Sequence, residues 1–148
     1  EIKLDNLSQT LKESFDLFAN SHPNINIKLQ SQDNDIYFQF DRFQITQAFN
    51  NIIKNAVEAV KNIPNPSISI NLFEENKMIK FIVKDNGIGI DEKKISKLFE
   101  PYFTTKDKGT GLGLSIVKKI IEDHGGVIKI EKNKNMAGTT SLIVFDLK

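Results

Sequence analysis

The sequence predicts an α+β fold: a two-layer α/β sandwich in which a mixed, mostly antiparallel sheet of about five to six strands is covered on one face by about three helices. Three observations lead there. Apolar residues recur at three- and four-residue spacing in three long stretches, period-two runs arrive in consecutive pairs, and a length of 148 residues suits one domain, spanning 1–148. Strands that arrive as hairpins disfavour a doubly wound parallel sheet.

The elements follow in order. From Leu4 to Ala19, apolar residues at Leu4, Leu7, Leu11, Phe15 and Phe18 mark an amphipathic helix, which Ser21-His22-Pro23-Asn24 stops. Ile25, Ile27 and Leu29 alternate with polar neighbours, and Tyr37 to Phe40 is a second short run, so the polar Ser31 to Asp35 turn predicts a hairpin. Asp41 reads as an N-cap, and Ile45, Phe49, Ile52, Ile53, Ala56, Val60 and Ile63 give a helix closed by Pro64. Ile68 to Phe73 and Met78 to Lys84 are the next strand pair, ending at Asp85-Asn86-Gly87. Asp91 opens a short helix through Phe99, stopped by Pro101, and a longer helix runs from about Leu112 to His124 before Gly125-Gly126. Val127 to Glu131 and Thr139 to Leu147 form the last pair.

Composition excludes several function classes. With 20 Lys and Arg against 19 Asp and Glu, the net charge is +1, and no basic stripe or aromatic-basic cluster offers a nucleic-acid surface. There is no cysteine, which removes disulfides and thiolate metal sites and permits a reducing, cytoplasmic setting. No apolar stretch approaches the roughly 20 residues that cross a bilayer, so no membrane contact is expected from this chain. It begins at Glu1 without a signal peptide and reads as a piece of a longer protein.

Three segments carry the chemistry. Asn50-Asn51-Ile52-Ile53-Lys54-Asn55 places several asparagines in a helix interior that disfavours them, with Asn51 and Asn55 on one face beside Lys54 and Glu58. An amide oxygen there can complete the shell of a Mg²⁺ that otherwise holds waters and phosphate oxygens; a solvated polar face is the plainer alternative. Asp85-Asn86-Gly87-Ile88-Gly89-Ile90 follows a strand, where an aspartate can accept from an exocyclic amine and glycines admit a ligand, or where the segment is simply a turn. Gly109-Thr110-Gly111-Leu112-Gly113-Leu114 runs into a helix start that favours anionic phosphate, unless it is a glycine hinge. It is neither a Walker loop nor a dinucleotide fingerprint, since the Gly-Lys-Ser/Thr ending and the preceding strand are both missing.

Read in this order, with Leu98-Phe99-Glu100-Pro101-Tyr102-Phe103-Thr104-Thr105-Lys106 between the last two, these segments resemble the N box, first glycine box, F box and second glycine box of bacterial sensor histidine kinases. Gly138-Thr139-Thr140 is similar to the closing element of the same family. The resemblance covers nearly the whole chain. It implies the Bergerat-type ATP-binding fold of the gyrase, chaperone, histidine kinase and mismatch-repair superfamily. The wording Asn-Ala-x-Glu-Ala and Phe-Thr-Thr-Lys, with His22-Pro23-Asn24 upstream, looks closest to the nitrogen-regulation type.

Carried onto this chain, the resemblance implies that ATP and Mg²⁺ are the cofactors and that Asn55 is the metal ligand. Asn51 would lie near the triphosphate, and Asp85 would select adenine. Gly87, Gly89 and Ile90 would shape the pocket, while Phe103, Thr104, Thr105 and Lys106 would belong to the ATP lid. Gly109, Thr110, Gly111, Leu112, Gly113 and Leu114 would close over the phosphates, and Thr139 would face the adenine. Many members carry a basic residue where this chain has Glu58, which shifts weight to Lys54 as a phosphate contact beside Lys106. Catalytic roles therefore fall on Asn51, Lys54 and Lys106.

The expected reaction is in-line transfer of the γ-phosphoryl to a histidine on a separate dimerisation domain, within a two-component system that ends on a response regulator. Related hydrolases have a glutamate where this chain has Asn51, a poor general base, so hydrolysis should be slow. Neither His22 nor His124 resembles a phospho-acceptor box, and no autophosphorylation is expected from this chain alone, which should be monomeric and cytoplasmic. An anti-sigma-factor-type serine kinase and a non-catalytic nucleotide-sensing module are the rival readings.

Overall fold

The computed structural model describes residues 1–101 and 113–147. Their elements are β1 (Lys3–Asn6), α1 (Leu7–Ser21), β2 (Asn26–Ser31), β3 (Tyr37–Phe40), α2 (Arg42–Ala59), β4 (Ser67–Glu75), β5 (Met78–Asp85), α3 (Glu92–Ile95), α4 (Gly113–Asp123), β6 (Gly126–Lys132) and β7 (Thr139–Asp146). Five strands form the main sheet in the order β2-β4-β5-β7-β6, and β1 pairs with β3 in a separate two-stranded ribbon. Among the described residues only β2 runs parallel to its neighbour and every other ladder is antiparallel, so the sheet is mixed and mostly antiparallel as expected.

Strand alternation decides which face is covered. Ile68, Ile70 and Leu72 of β4, Ile79, Phe81 and Val83 of β5 and Ile143 and Phe145 of β7 are all buried, and the register places them on one face. Helices α1, α2 and α4 lie against that face, packing on β2, β5 and β6 respectively. Phe49 of α2 meets Phe81 of β5 at a ring separation of 4.5 Å, in the middle of this layer. Each such large side chain contributes about 1.5–3 kcal/mol on burial.

The structure corrects the expected hairpin between residues 25–29 and 37–40. β2 pairs in parallel with β4, from Asn26 opposite Ser67 to Ser31 opposite Leu72, while β3 pairs with β1. Gln32 continues toward β4, donating its amide to the Leu72 carbonyl at 3.3 Å and accepting from the Glu74 amide at 2.7 Å. Ile36 turns the other way and becomes core beside α1, its carbonyl receiving the Leu7 amide at 2.8 Å. The polar segment between them is therefore a crossover to a new layer. Such a connection has the same composition as a hairpin turn.

Three helix boundaries also move, the first being the end of α2, which stops at Ala59 instead of running to Pro64, with Asn62 at φ +69° in the turn that follows. Leu4 belongs to β1 and is 63 % exposed, because Asn6 caps α1 by accepting from the Gln9 amide at 2.9 Å and starts the helix at Leu7. The helix expected through Phe99 is α-helical only to Ile95; Lys97, Leu98 and Glu100 donate to carbonyls three residues back, which makes turns of a tighter coil. At the end of α4, Gly125 adopts φ +76°, as the glycine stop requires.

Both histidines end helices. His22 Nδ1 lies 3.1 Å from the Phe18 carbonyl at the end of α1. His124 Nδ1 donates to the Ile120 carbonyl at 2.7 Å, and its Nε2 accepts the Asp41 amide at 3.0 Å, so the end of α4 is tied to the N-cap of α2. His124→Ala removes both bonds and is expected to cost about 1 kcal/mol. Thermal unfolding should then show a midpoint lower by about 3 °C, and an unchanged midpoint would show the tie to be idle.

Candidate functional site

The end of β5 gathers buried polar groups. Among the described residues, the buried polar or charged side chains are Thr10, Ser14, Asp85, Asn133 and Thr139, and the last three meet where β5, β6 and β7 end or begin. Burying polar groups is costly unless they are hydrogen-bonded, so such a cluster needs a reason. Asp85 is 5 % exposed; its Oδ1 accepts the Gly87 amide at 2.8 Å, and the Thr139 amide also donates to its carboxylate. Burial pushes the carboxyl above its ordinary value, and those two amides oppose the shift only in part. A carboxylate has about four acceptor positions, so it can still take a donor from a ligand.

The backbone around Asp85 is packed to its limit. A Cβ on Gly87 would stand 2.3 Å from the Ala59 carbonyl oxygen of α2, and the next amide, of Ile88, donates to that same oxygen at 3.1 Å. Glycine is required there by close approach. Gly138, at φ +113°, leaves no room either, because its Cβ would stand 1.9 Å from the Asp85 carbonyl oxygen. Gly89, at φ +75°, faces Gly138, with Ile88 78 % exposed and Ile90 half-buried beside it. Asn86 anchors the other side, accepting from the Ser67 amide at 2.9 Å and donating to the Asn65 carbonyl at 2.9 Å. The glycines therefore admit neighbouring backbone, with Gly87 seated against α2.

Helix α2 links this corner to the start of α4. Asn51, Asn55 and Ala59 follow at four-residue spacing on one face, a line of about 12 Å. Ala59 meets Gly87 at one end, and at the other the Asn51 Oδ1 faces Gly113, where a Cβ would lie 3.5 Å away in ordinary contact. Asn51 is held by donating Nδ2 to the Gln47 carbonyl at 3.0 Å, and Asn55 is half-buried between the two ends. The N-terminus of α4 thus meets the asparagine face, and the dipole of a helix favours an anion at that end. A base held at Asp85 and phosphates toward Gly113 would span this line.

The donor set also bears on a metal. No group of three or more His, Cys, Asp or Glu able to hold an ion is present among the described residues. A lone amide oxygen fits Mg²⁺ that takes its remaining ligands from phosphates and water, and does not fit a metal held by protein alone.

The expected site residues are thus brought together in part. Asn51 and Asn55 lie on α2, Asp85 at the end of β5 with Gly87 and Gly89 in the loop after it, Gly113 at the start of α4 and Thr139 at the start of β7. Lys54 is exposed on the neighbouring flank, lining a hollow with Phe18, Phe43 and Gln47. Leu114, half-buried, follows Gly113 in α4. Phe103, Thr104, Thr105, Lys106, Gly109, Thr110, Gly111 and Leu112 lie outside the described residues. Asn133 carries no local signal in the sequence, because it is one asparagine of a Lys/Asn-rich turn.

Comparison with known proteins bears on the family and the fold. Residues 40–148 match the family model described as histidine kinase-, DNA gyrase B- and HSP90-like ATPase. The chain is 39 % identical over 122 residues to sporulation kinase A of Bacillus subtilis, covering 82 % of this chain and 20 % of that protein. It is 44 % identical over 99 residues to the nitrogen regulation protein NtrY of Azorhizobium caulinodans, covering 62 % of this chain and 13 % of that one. The chain thus spans about a fifth or less of the length of these relatives. Among solved structures, the catalytic domain of histidine kinase ThkA superposes with a TM-score of 0.88 at 35 % identity, covering 99 % of this chain and 96 % of that one. ThkA in complex with the response regulator TrrA gives a TM-score of 0.83 at 31 % identity, covering 99 % of this chain and 42 % of that one.

Proposed function

This chain belongs to the histidine kinase-, DNA gyrase B- and HSP90-like ATPase family, and on that premise we propose that it binds Mg-ATP and transfers the γ-phosphoryl to a histidine carried elsewhere in its parent protein. The observation that carries the reading is Asp85, a buried carboxylate with spare acceptor capacity at one end of an asparagine-lined helix face whose other end meets a helix N-terminus. Asp85 accepts the adenine amine, and the Thr139 and Gly87 amides hold the carboxylate for it.

Asn51 and the amides at the start of α4 orient the phosphates, and Asn55 supplies an oxygen to the metal. Bound Mg²⁺ neutralises phosphate charge. Lys54 is the described lysine proposed to contact phosphate, and the resemblance assigns nucleotide-site roles to Phe103, Thr104, Thr105, Lys106 and residues 109–112, which lie outside the described residues. Asn51 cannot take a proton from water at neutral pH, so the chain favours transfer over hydrolysis. The two histidines are engaged at helix ends, which agrees with an acceptor on another domain. The chain works as a single domain, a monomer apart from the parent's dimerisation domain, on the cytoplasmic side where ATP and a response regulator are available. No helix among the described residues is long and apolar enough to cross a membrane.

The test mixes this chain, the parent protein's histidine-bearing helical domain and ATP labelled at the γ position. Label that appears on that domain, is lost in acid and survives base is the expected result. An acid-stable label would indicate a serine kinase. Nucleotide binding without any transfer would leave only a sensing module.

A further inference from the structure

We propose that Asn133 is the positioning residue that sets base selectivity, by holding the Asp85 main chain in place through its carbonyl. This rests on the reading that Asp85 receives the adenine amine. The ladder between β5 and β7 ends at the pair Lys84 and Thr140, so the Asp85 carbonyl lies one step beyond its last partner in β7. The ladder between β6 and β7 ends at Lys132 and Thr139. Three strand ends therefore converge just where the backbone pattern stops supplying hydrogen bonds.

Asn133 fills that gap with one side chain. Its Nδ2 donates to the Asp85 carbonyl at 2.8 Å and to the Ala137 carbonyl at 3.0 Å, and its Oδ1 accepts the Thr140 hydroxyl at 2.6 Å. Its own amide donates to the Gly138 carbonyl at 3.0 Å. The side chain is 7 % exposed, and both amide protons and the oxygen are used. Two carbonyls and one hydroxyl require a group with two donors and one acceptor, which asparagine supplies and aspartate, serine or alanine does not.

The consequence reaches the carboxylate through the backbone. Asn133 ties the Asp85 carbonyl to the 137–140 segment, and the Thr139 amide of that segment donates to the Asp85 side chain. The main chain and the carboxylate of Asp85 are thus both referred to one rigid corner, against which Gly138 packs without space for a methyl. A carboxylate must be aimed to discriminate an amine from a carbonyl, because hydrogen bonds weaken steeply with misalignment. Loosening Asn133 should therefore cost base discrimination first, and phosphate binding little.

The experiment measures affinity for ATP and for inosine triphosphate, which has a carbonyl in place of the exocyclic amine, on the unaltered chain, Asn133→Ala and Thr140→Val. The ratio of the two affinities is independent of the folded fraction, so a loss of stability does not mimic the effect. The unaltered chain should prefer ATP, Asn133→Ala should lose about tenfold of that preference, and Thr140→Val, which removes one bond at constant shape, should lose a smaller part. If both variants keep the full preference, with or without a lower unfolding midpoint, Asn133 is only structural. If the unaltered chain shows no preference for ATP, the adenine role of Asp85 fails instead.

Discussion

Asp85→Asn is expected to weaken binding of an adenine nucleotide by roughly 10- to 100-fold, the cost of losing a buried hydrogen bond to a charged acceptor. The substitution keeps shape but puts an amide N–H among the donors that now converge there, the Gly87 and Thr139 amides and the base amine. Titration calorimetry with a non-hydrolysable ATP analogue reads the effect, and Asn55→Ala is the companion variant. Asn55→Ala should weaken only the part of the affinity that depends on Mg²⁺. Unchanged affinity in both variants would overturn these assignments.

The same carboxylate sets a pH dependence. A ligand donor favours the ionised form, so affinity is full while Asp85 is ionised and is lost as pH falls through its folded value. Burial raises that value above the ordinary 3.8, which moves the loss to higher pH than an exposed aspartate would give. Inosine triphosphate controls for titration of the phosphates themselves. The difference between the two nucleotides should fade on acidification in the unaltered chain and be absent in Asp85→Asn.

Gly87→Ala should have the largest effect on stability. A methyl there would stand 2.3 Å from the Ala59 carbonyl oxygen and 2.6 Å from its carbon, and both are helix backbone that cannot rotate away. Either the loop after β5 or the end of α2 must move, and the Ile88 amide then loses its bond to Ala59. A cost of about 3 kcal/mol is expected, which lowers the unfolding midpoint by about 10 °C. Gly113→Ala is the contrast, because its methyl meets Asn51 Oδ1 at an ordinary 3.5 Å and the midpoint should hardly change. Equal midpoints for the two variants would refute the close-approach argument.

Much of the architecture was legible in the residues. The periodicity of Ile45, Phe49, Ile52, Ile53 and Ala56 marks the buried face of α2, and alternation in Ile68, Ile70 and Leu72 marks the covered face of β4. Those signals are local, because one helix face and one strand face meet the same core along their whole length. Pairing is not local. Nothing in residues 25–40 distinguishes a turn back onto the preceding strand from a crossover, and the choice was made by β4, about forty residues further on.

The site divides in the same way. The asparagines of α2, the strand-end Asp85 and the glycines stand out by residue type and spacing, and taken together in their order they carried the resemblance to the ATPase family to which the chain belongs. Only the tertiary structure decided that Gly87 serves close packing on Ala59, that His124 ties α4 to α2, and that Asn133 replaces a missing ladder bond at Asp85. The reason is physical: motif chemistry is a property of a few adjacent residues, whereas steric exclusion and hydrogen-bond satisfaction in a buried corner depend on which distant segments the fold brings within about 3 Å.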